Sequence, residues 1–305
     1  MSRRAPVRHA AIAVLAATSI PAIALAQTMK PGDVSASTSL TGVNQFNTDL
    51  DRGGDFRWAT GIVSGTVARQ FTREISAGFS LRYDYEAWTF GNPVAFGGKA
   101  PWENLNAPNI AASLTYAITP DVLVGFVPSF GWSFESGAKT GDALVYGAIL
   151  SATKVFSPGL ALGIGASIVH QIDENKVFPF LIIQWQIDER WRLANPFRAG
   201  PAGGAGLELA YMIDDNWEIA GGGAYRSYRF RLKDSGPTPA GIGENRFFPV
   251  FARLTRKFGA QTKLDFYAGV SAGGRLSVDN AQGNGVASDD YKTAPAIGLT
   301  LSHRY

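Results

Sequence analysis

The sequence predicts an all-β fold: a transmembrane, antiparallel, up-and-down β-barrel of about fourteen strands, with twelve as the alternative. Three observations predict it. The chain opens on an export signal, its residues alternate with a period of two, and the connections between alternating runs are short and long in turn.

The signal comes first. Arg3, Arg4 and Arg8 form a basic segment, followed by the apolar run Ala10 to Ala26, which Thr18, Ser19 and Pro21 interrupt. It ends in Ala24-Leu25-Ala26, a small-x-small pattern that places cleavage before Gln27. Residues 1–26 are therefore expected to be a removed signal peptide, and residues 27–305 one barrel domain. The run is too short and too broken for a membrane helix. No later apolar stretch is long enough for one either.

The whole chain carries 28 Lys+Arg against 25 Asp+Glu. The signal holds three of the arginines and no acid, so the remainder is formally neutral. A basic surface for nucleic acid is excluded. The chain has no cysteine, which excludes disulfides, thiol nucleophiles and cysteine-bound metals.

Alternation then runs along the chain. From Val122 to Phe134, one face reads Val122, Val124, Phe126, Pro128, Phe130, Trp132 and the other Leu123, Gly125, Val127, Ser129, Gly131. Leu160 to His170 and Lys263 to Arg275 repeat the pattern. Such runs match the roughly 9–11 residues that cross a bilayer at a tilt. Short connections are expected near 70–75, 119–121, 157–159, 187–190, 214–216 and 258–261. Longer ones are expected near 47–56, 90–107, 135–142, 171–176, 196–204, 232–245 and 276–291. Outer-membrane barrels sort their connections in this way, and soluble sandwiches need not. The first strand, 34–46, and the ninth, 191–195, are the weakest. Losing both would leave twelve.

The end of the chain, Ala294 to Tyr305, alternates up to its terminal aromatic residue. A closed barrel pairs its last strand with its first, because an unpaired edge in lipid is costly. The pattern also resembles the C-terminal assembly signal of bacterial outer-membrane barrels. The expected address is the bacterial outer membrane. The expected partners are its lipid and, through Ala294 to Tyr305, the barrel-assembly machinery.

The stretch Trp185 to Leu232 carries a further resemblance. Its elements are Trp185-Gln186-Ile187-Asp188, Arg192-Leu193-Ala194-Asn195-Pro196, Gly206-Leu207-Glu208-Leu209-Ala210-Tyr211 and the strand Tyr225 to Leu232. Together they resemble an uncharacterised family of bacterial outer-membrane β-barrel proteins, classed as a domain of unknown function. The resemblance implies a barrel and an outer-membrane address. It brings no reaction and no substrate.

With apolar residues toward lipid, their neighbours face the lumen. Parity points Arg82, Asp84, Glu86, Arg192, Glu208, Arg253, Asp265, Arg275 and Arg304 inward, with Arg226 and Lys263 beside them. Parity in 217–231 and 143–156 is ambiguous, as a bulge would make it. These residues are candidate selectivity groups of a narrow channel for small polar solutes. The alternative is a plugged barrel, structural or receptor-like, whose inner charges pair off. Loops 90–107 and 276–291 could fold in and constrict the lumen. Trp102 and Tyr291 are the loop aromatics that hint at a receptor.

An enzyme is not expected. His170 and His303 fall on the lipid-facing parity, and no Gly-x-Ser-x-Gly elbow is present. The runs Gly203–Gly206 and Gly221–Gly223 join no strand to a helix, so a phosphate cradle is unsupported. Asp214-Asp215-Asn216 and Asp173-Glu174-Asn175 suit turn chemistry better than calcium. No metal or cofactor is expected.

Overall fold

Residues Ser37 to Gln45 pair antiparallel with Arg304 back to Ala296, and that pairing closes the sheet on itself. The computed structural model describes residues 30–195 and 206–305. The signal segment and the connection at 196–204 lie outside the described residues.

The described sheet contains β1 (Val34–Asp49), β2 (Asp55–Gln70), β3 (Ile75–Gly91), β4 (Asn104–Thr119), β5 (Val122–Trp132) and β6 (Phe134–Glu135). It continues through β7 (Leu144–Ser157), β8 (Leu160–Gln171), β9 (Glu174–Gln186), β10 (Trp191–Ala194), β11 (Gly206–Met212) and β12 (Trp217–Ala224). It ends with β13 (Arg226–Arg231), β14 (Ile242–Phe258), β15 (Thr262–Asp279), β16 (Gly285–Tyr291) and β17 (Ala294–Arg304). The pairs β5/β6, β12/β13 and β16/β17 each follow one wall position, so the closed antiparallel barrel has fourteen strands. Both weak strands, β1 and β10, are present.

One end of the barrel is built from tight turns. Two of them share a sequence and a mechanism. In Ile187-Asp188-Glu189-Arg190-Trp191, Asp188 Oδ1 accepts the N–H of Arg190 at 2.8 Å and of Trp191 at 2.7 Å. In Ile213-Asp214-Asp215-Asn216-Trp217, Asp214 Oδ1 accepts from Asn216 at 2.7 Å and Trp217 at 2.8 Å. An aspartate that bonds its own backbone two and three residues on holds a turn without help from a metal.

At the other end two connections differ from expectation. The segments near 47–56 and 171–176 are tight turns, because β1, β2, β8 and β9 run further than their apolar pattern does. Most of 276–291 is likewise strand, in β15 and β16, and the end of 232–245 is strand from Ile242 on, in β14. Strand length is therefore uneven around the wall: β14 and β15 have 17 and 18 residues, and β11 and β12 have 7 and 8. Among the described residues, β10 pairs with β9 only at Gln184, Trp185 and Gln186, so β9 before these has a strand on one side alone.

The outer surface is an apolar belt. Phe79, Leu81, Tyr83 and Tyr85 on β3, Phe126 and Phe130 on β5, and Ile297, Leu299 and Leu301 on β17 are all exposed. Such a continuous belt exceeds anything a soluble monomer leaves in water. Tyr83 and Tyr85 keep their hydroxyls on Asn106 at 2.7 Å and Asn104 at 3.1 Å. An aromatic ring at the lipid boundary is satisfied by this arrangement. Among the described residues no helix is long and apolar enough to cross a membrane.

Candidate functional site: the barrel lumen

At the tight-turn end the lumen is a vestibule of about 400 Å³, lined by Gln70, Arg73, Glu74, Thr115, Pro120 and Leu123. Beyond it three charge clusters occupy the interior.

Arg253, from β14, centres the first. Its guanidinium bonds Glu208 at 2.9 and 2.7 Å, Glu218 at 2.7 Å and Asp265 at 3.3 Å, and also touches the Thr255 hydroxyl. Arg192 adds a contact to Glu218 at 3.0 Å, and Lys263 one to Asp265 at 3.5 Å. Three acids thus meet three bases. Glu208, Arg253 and Asp265 are each at most 4% exposed, a depth at which an unpaired charge would cost several kcal/mol.

Period two on β3 builds the second cluster. Arg82 and Asp84 form a two-pronged pair at 2.7 Å on both arms, and Glu86 accepts from Trp88 Nε1 at 3.0 Å. Facing them, Arg226 stands over the Tyr228 ring at 5.4 Å on β13.

The third cluster crosses the lumen. Arg229 on β13 reaches Asp173 at 3.0 Å and Glu174 at 3.5 Å in the β8–β9 hairpin. It also holds Glu244 at 3.3 Å and Asp279 at 3.0 Å. This is possible because β13 continues β12's pairing with β14 in the same register, past the point where β11 starts. Its other edge meets β6, where Arg231 pairs with Phe134 and donates its backbone N–H to Ser133 at 2.9 Å.

The far end is filled. Phe56, Trp58, Trp88, Trp102, Leu105, Phe230, Leu232, Phe247, Leu276, Val278 and Tyr291 form one buried cluster. Trp102 is fully buried and packs on Trp88, Phe90, Phe96 and Phe230 at centroid distances of 5.5, 5.6, 6.4 and 5.0 Å. The segment 90–107 folds in, whereas 276–291 is mostly wall strand whose Leu276, Val278 and Tyr291 turn inward. Trp102 and Tyr291 are core residues of that packing, so they offer no outer receptor surface.

The inner wall from β4 to β9 differs from the charged side. Ala111, Val127 and Ile149 cluster there, as do Leu123, Ala161 and Ile182, with Phe180 packed against both groups. A Cβ on Gly165 would lie 2.4 Å from the Phe180 ring, so that glycine makes the room for the ring to lie across the wall. The lumen is therefore two-sided: one wall carries these apolar groups among neutral polar residues such as Thr115, Thr153, Ser167 and Gln171, and the other is charged and internally paired.

Most inward parities correspond to inward side chains. Arg82, Asp84, Glu86, Glu208, Arg253 and Asp265 sit in the clusters above, and Arg192 joins through Glu218. Arg304 lies at the open end, exposed, on the face of the fully buried Thr300. Arg275 is the correction. A bulge between Arg246 and Phe248 breaks the β14–β15 register, and beyond it Arg275 lies on the face opposite the buried Leu276. Its guanidinium bonds Asp290 at 3.3 Å and Ser288 at 2.6 Å, half-exposed rather than with Asp265. Glu218, Tyr228, Arg229, Glu244 and Asp279 belong to the lumen and were not singled out by parity. Their signal was the alternation within 217–231 and the segments assigned to loops.

His170 bonds Asn175 at 2.9 Å and His303 bonds Thr262 at 2.8 Å, both outside the lumen clusters.

A closed β-barrel with an apolar belt outside and a polar, partly filled lumen is a transmembrane barrel of the outer-membrane type. Residues 134–272 match a family model described as a domain of unknown function, DUF6268. The stretch Trp185 to Leu232 lies inside that match. No curated protein matches the chain. Among solved structures, similar ones include an outer-membrane channel of Pseudomonas putida F1, at 11% identity and TM-score 0.47, covering 91% of this chain and 97% of that one. The toluene transporter TodX of Pseudomonas putida shares 10% identity at TM-score 0.46, covering 96% and 95%. The translocator domain of the Neisseria meningitidis autotransporter NalP shares 10% identity at TM-score 0.37, covering 94% and 93%. At these identities and scores the likeness is one of architecture.

Proposed function

We propose that this barrel is an outer-membrane channel for small neutral solutes of apolar or amphipathic character. This replaces the narrow polar pore expected from the lumen charges. One observation carries it: the lumen's charges neutralise one another in place, while the wall from β4 to β9 turns Leu123, Val127, Ile149, Phe180 and Ile182 inward. An open polar pore needs charges free to meet ions and water along its length. Here the far end is an aromatic core. An apolar inner wall lowers the cost of carrying a solute that water solvates poorly. Transport is a binding and passage role, with no bond made or broken. The outer-membrane address, the leading signal at 1–26 and assembly through Ala294 to Tyr305 belong to the same proposal.

Cells with and without the protein test it. Expression should speed uptake of 4-ethylphenol across the outer membrane and leave uptake of arabinose unchanged. Faster arabinose uptake, or no change for either, would overturn the proposal.

A further inference from the structure

A cavity lies between the second charge cluster and the aromatic core. The space open to a water-sized group measures about 50 Å³, and the cavity opens to solvent. Its lining includes the polar Thr60, Asp84, Glu86 and Arg226 and the aromatic Trp58, Tyr228, Phe247, Phe251 and Tyr267. The backbone is bare there, at Gly269 and Gly298.

Among the described residues, Trp58 on this cavity and Gln45 behind it have buried polar atoms with no partner. Trp58 is 7% exposed, and its Nε1 has no acceptor among them. Opposite it on β1, Gln45 is fully buried, and neither of its amide atoms has a partner among them. Buried donors are ordinarily satisfied, and one left bare costs about 1–3 kcal/mol. The acceptors are also at hand. Glu86 sits one step diagonally from Trp58 across the β2–β3 pair and gives only Oε2 to Trp88. Asp84 follows on the same face.

We infer that this cavity is a binding site for a neutral hydroxyl compound, a phenol or an alcohol, with an apolar body. The inference rests on the channel proposed above and names its solute class. A hydroxyl both accepts and donates, so its oxygen takes the Trp58 N–H while its proton goes to Glu86 or Asp84. The space of about 50 Å³ has room for about three or four water-sized groups, which suits a hydroxyl and the atoms that bear it. The apolar body extends from there along Phe247, Phe251 and Tyr267. A carboxylate fits poorly. Arg82, Asp84, Glu86 and Arg226 already sum to zero, and one more buried anion would stand uncompensated.

The test is calorimetric titration of the full chain, refolded in detergent, with 4-ethylphenol, ethylbenzene and 4-ethylbenzoate. The phenol should bind saturably, at one per barrel, and about tenfold more tightly than ethylbenzene. The benzoate should not bind. Trp58→Phe keeps the ring and removes the donor, and should erase the phenol's advantage. Glu86→Ala, which removes an acceptor, should reduce it. Resistance of each variant to unfolding in cold detergent sample buffer checks that it is folded. No saturable binding of the phenol would leave a water-filled cavity and overturn the inference. So would a phenol affinity unchanged in Trp58→Phe, or ethylbenzene binding as tightly as the phenol. Binding here is read without uptake. A barrel that binds the phenol but does not speed its entry keeps the site and overturns only the channel.

Discussion

Trp102 and Phe230 meet edge to face, with ring centroids 5.0 Å apart and an interplanar angle of 78°. One comes from the connection between β3 and β4, the other from β13, which pairs with β14 along one edge and meets β6 on the other. Their contact marks where the barrel's far end stops being a tube and becomes a packed core.

Trp102→Ala should remove the centre of that core. Truncating a fully buried tryptophan costs about 3–5 kcal/mol. Urea unfolding of the refolded barrel in vesicles should show a midpoint lowered to match. A midpoint within error of the parent would mean that the far end is not packed.

Arg253 is shared among Glu208, Glu218 and Asp265, and the two sides of the cluster should respond unequally. Arg253→Met strands Glu208, leaves Glu218 and Asp265 only their half-exposed partners Arg192 and Lys263, and should cost about 3–5 kcal/mol. Glu208→Gln leaves the guanidinium two acids and should cost about 2 kcal/mol. Equal costs would mean that the cluster is solvated rather than buried. The same urea titrations measure both.

Asp188 sits in a turn, outside the membrane-spanning strands. The N–H groups of Trp191 and then Arg190 hold its carboxyl below the ordinary carboxylate range. A lowered folded pKa stabilises above the unfolded value of about 4, and the contribution fades as pH falls through the folded value. Asp188→Ala should therefore lower the unfolding midpoint at neutral pH, and the gap from the parent should narrow as the pH falls below the unfolded value of about 4. A gap independent of pH would show that the turn does not depend on the ionised side chain.

Phe180 tests the apolar wall. Phe180→Asp places an unpaired charge among Leu123, Val127 and Ile149, and should slow 4-ethylphenol uptake while leaving the barrel folded, since the lumen mouth offers water nearby. Unchanged uptake would remove that wall from the path.

The wall of this barrel was legible because lipid imposes a rule on every second residue. Phe79, Leu81, Tyr83 and Tyr85 must be apolar, and their partners then declare themselves. The strand count followed for the same reason, and even β10, four residues long, could be placed from Trp191 and the aspartate turn before it. Parity failed where that rule lapses. Beyond the belt, β14 and β15 continue into a region with an apolar face turned inward, so Leu276 and Val278 looked like loop residues. The bulge at Gly273-Gly274, opposite Phe247, reversed the side on which Arg275 lies; the glycine pair, with Gly273 at φ 58°, is its local signal, and counting parity passes over it. The charge clusters were half visible. Glu208, Arg253 and Asp265 could be named singly. That they cancel one another depends on strands brought together only by closure of the sheet. The apolar wall was present in the same alternating patterns, as Leu123, Val127 and Ala161 on the faces opposite the lipid.

The central claim is that the lumen is a filled and charge-balanced passage rather than an open polar pore. The most direct measurement is ion conductance of the refolded chain in a planar bilayer with potassium chloride on both sides. The account predicts no steady conductance from the parent barrel, and discrete steps once Trp102→Ala loosens the far end. Long-lived open steps in the parent, with an ion selectivity that shifts in Asp265→Ala, would contradict it.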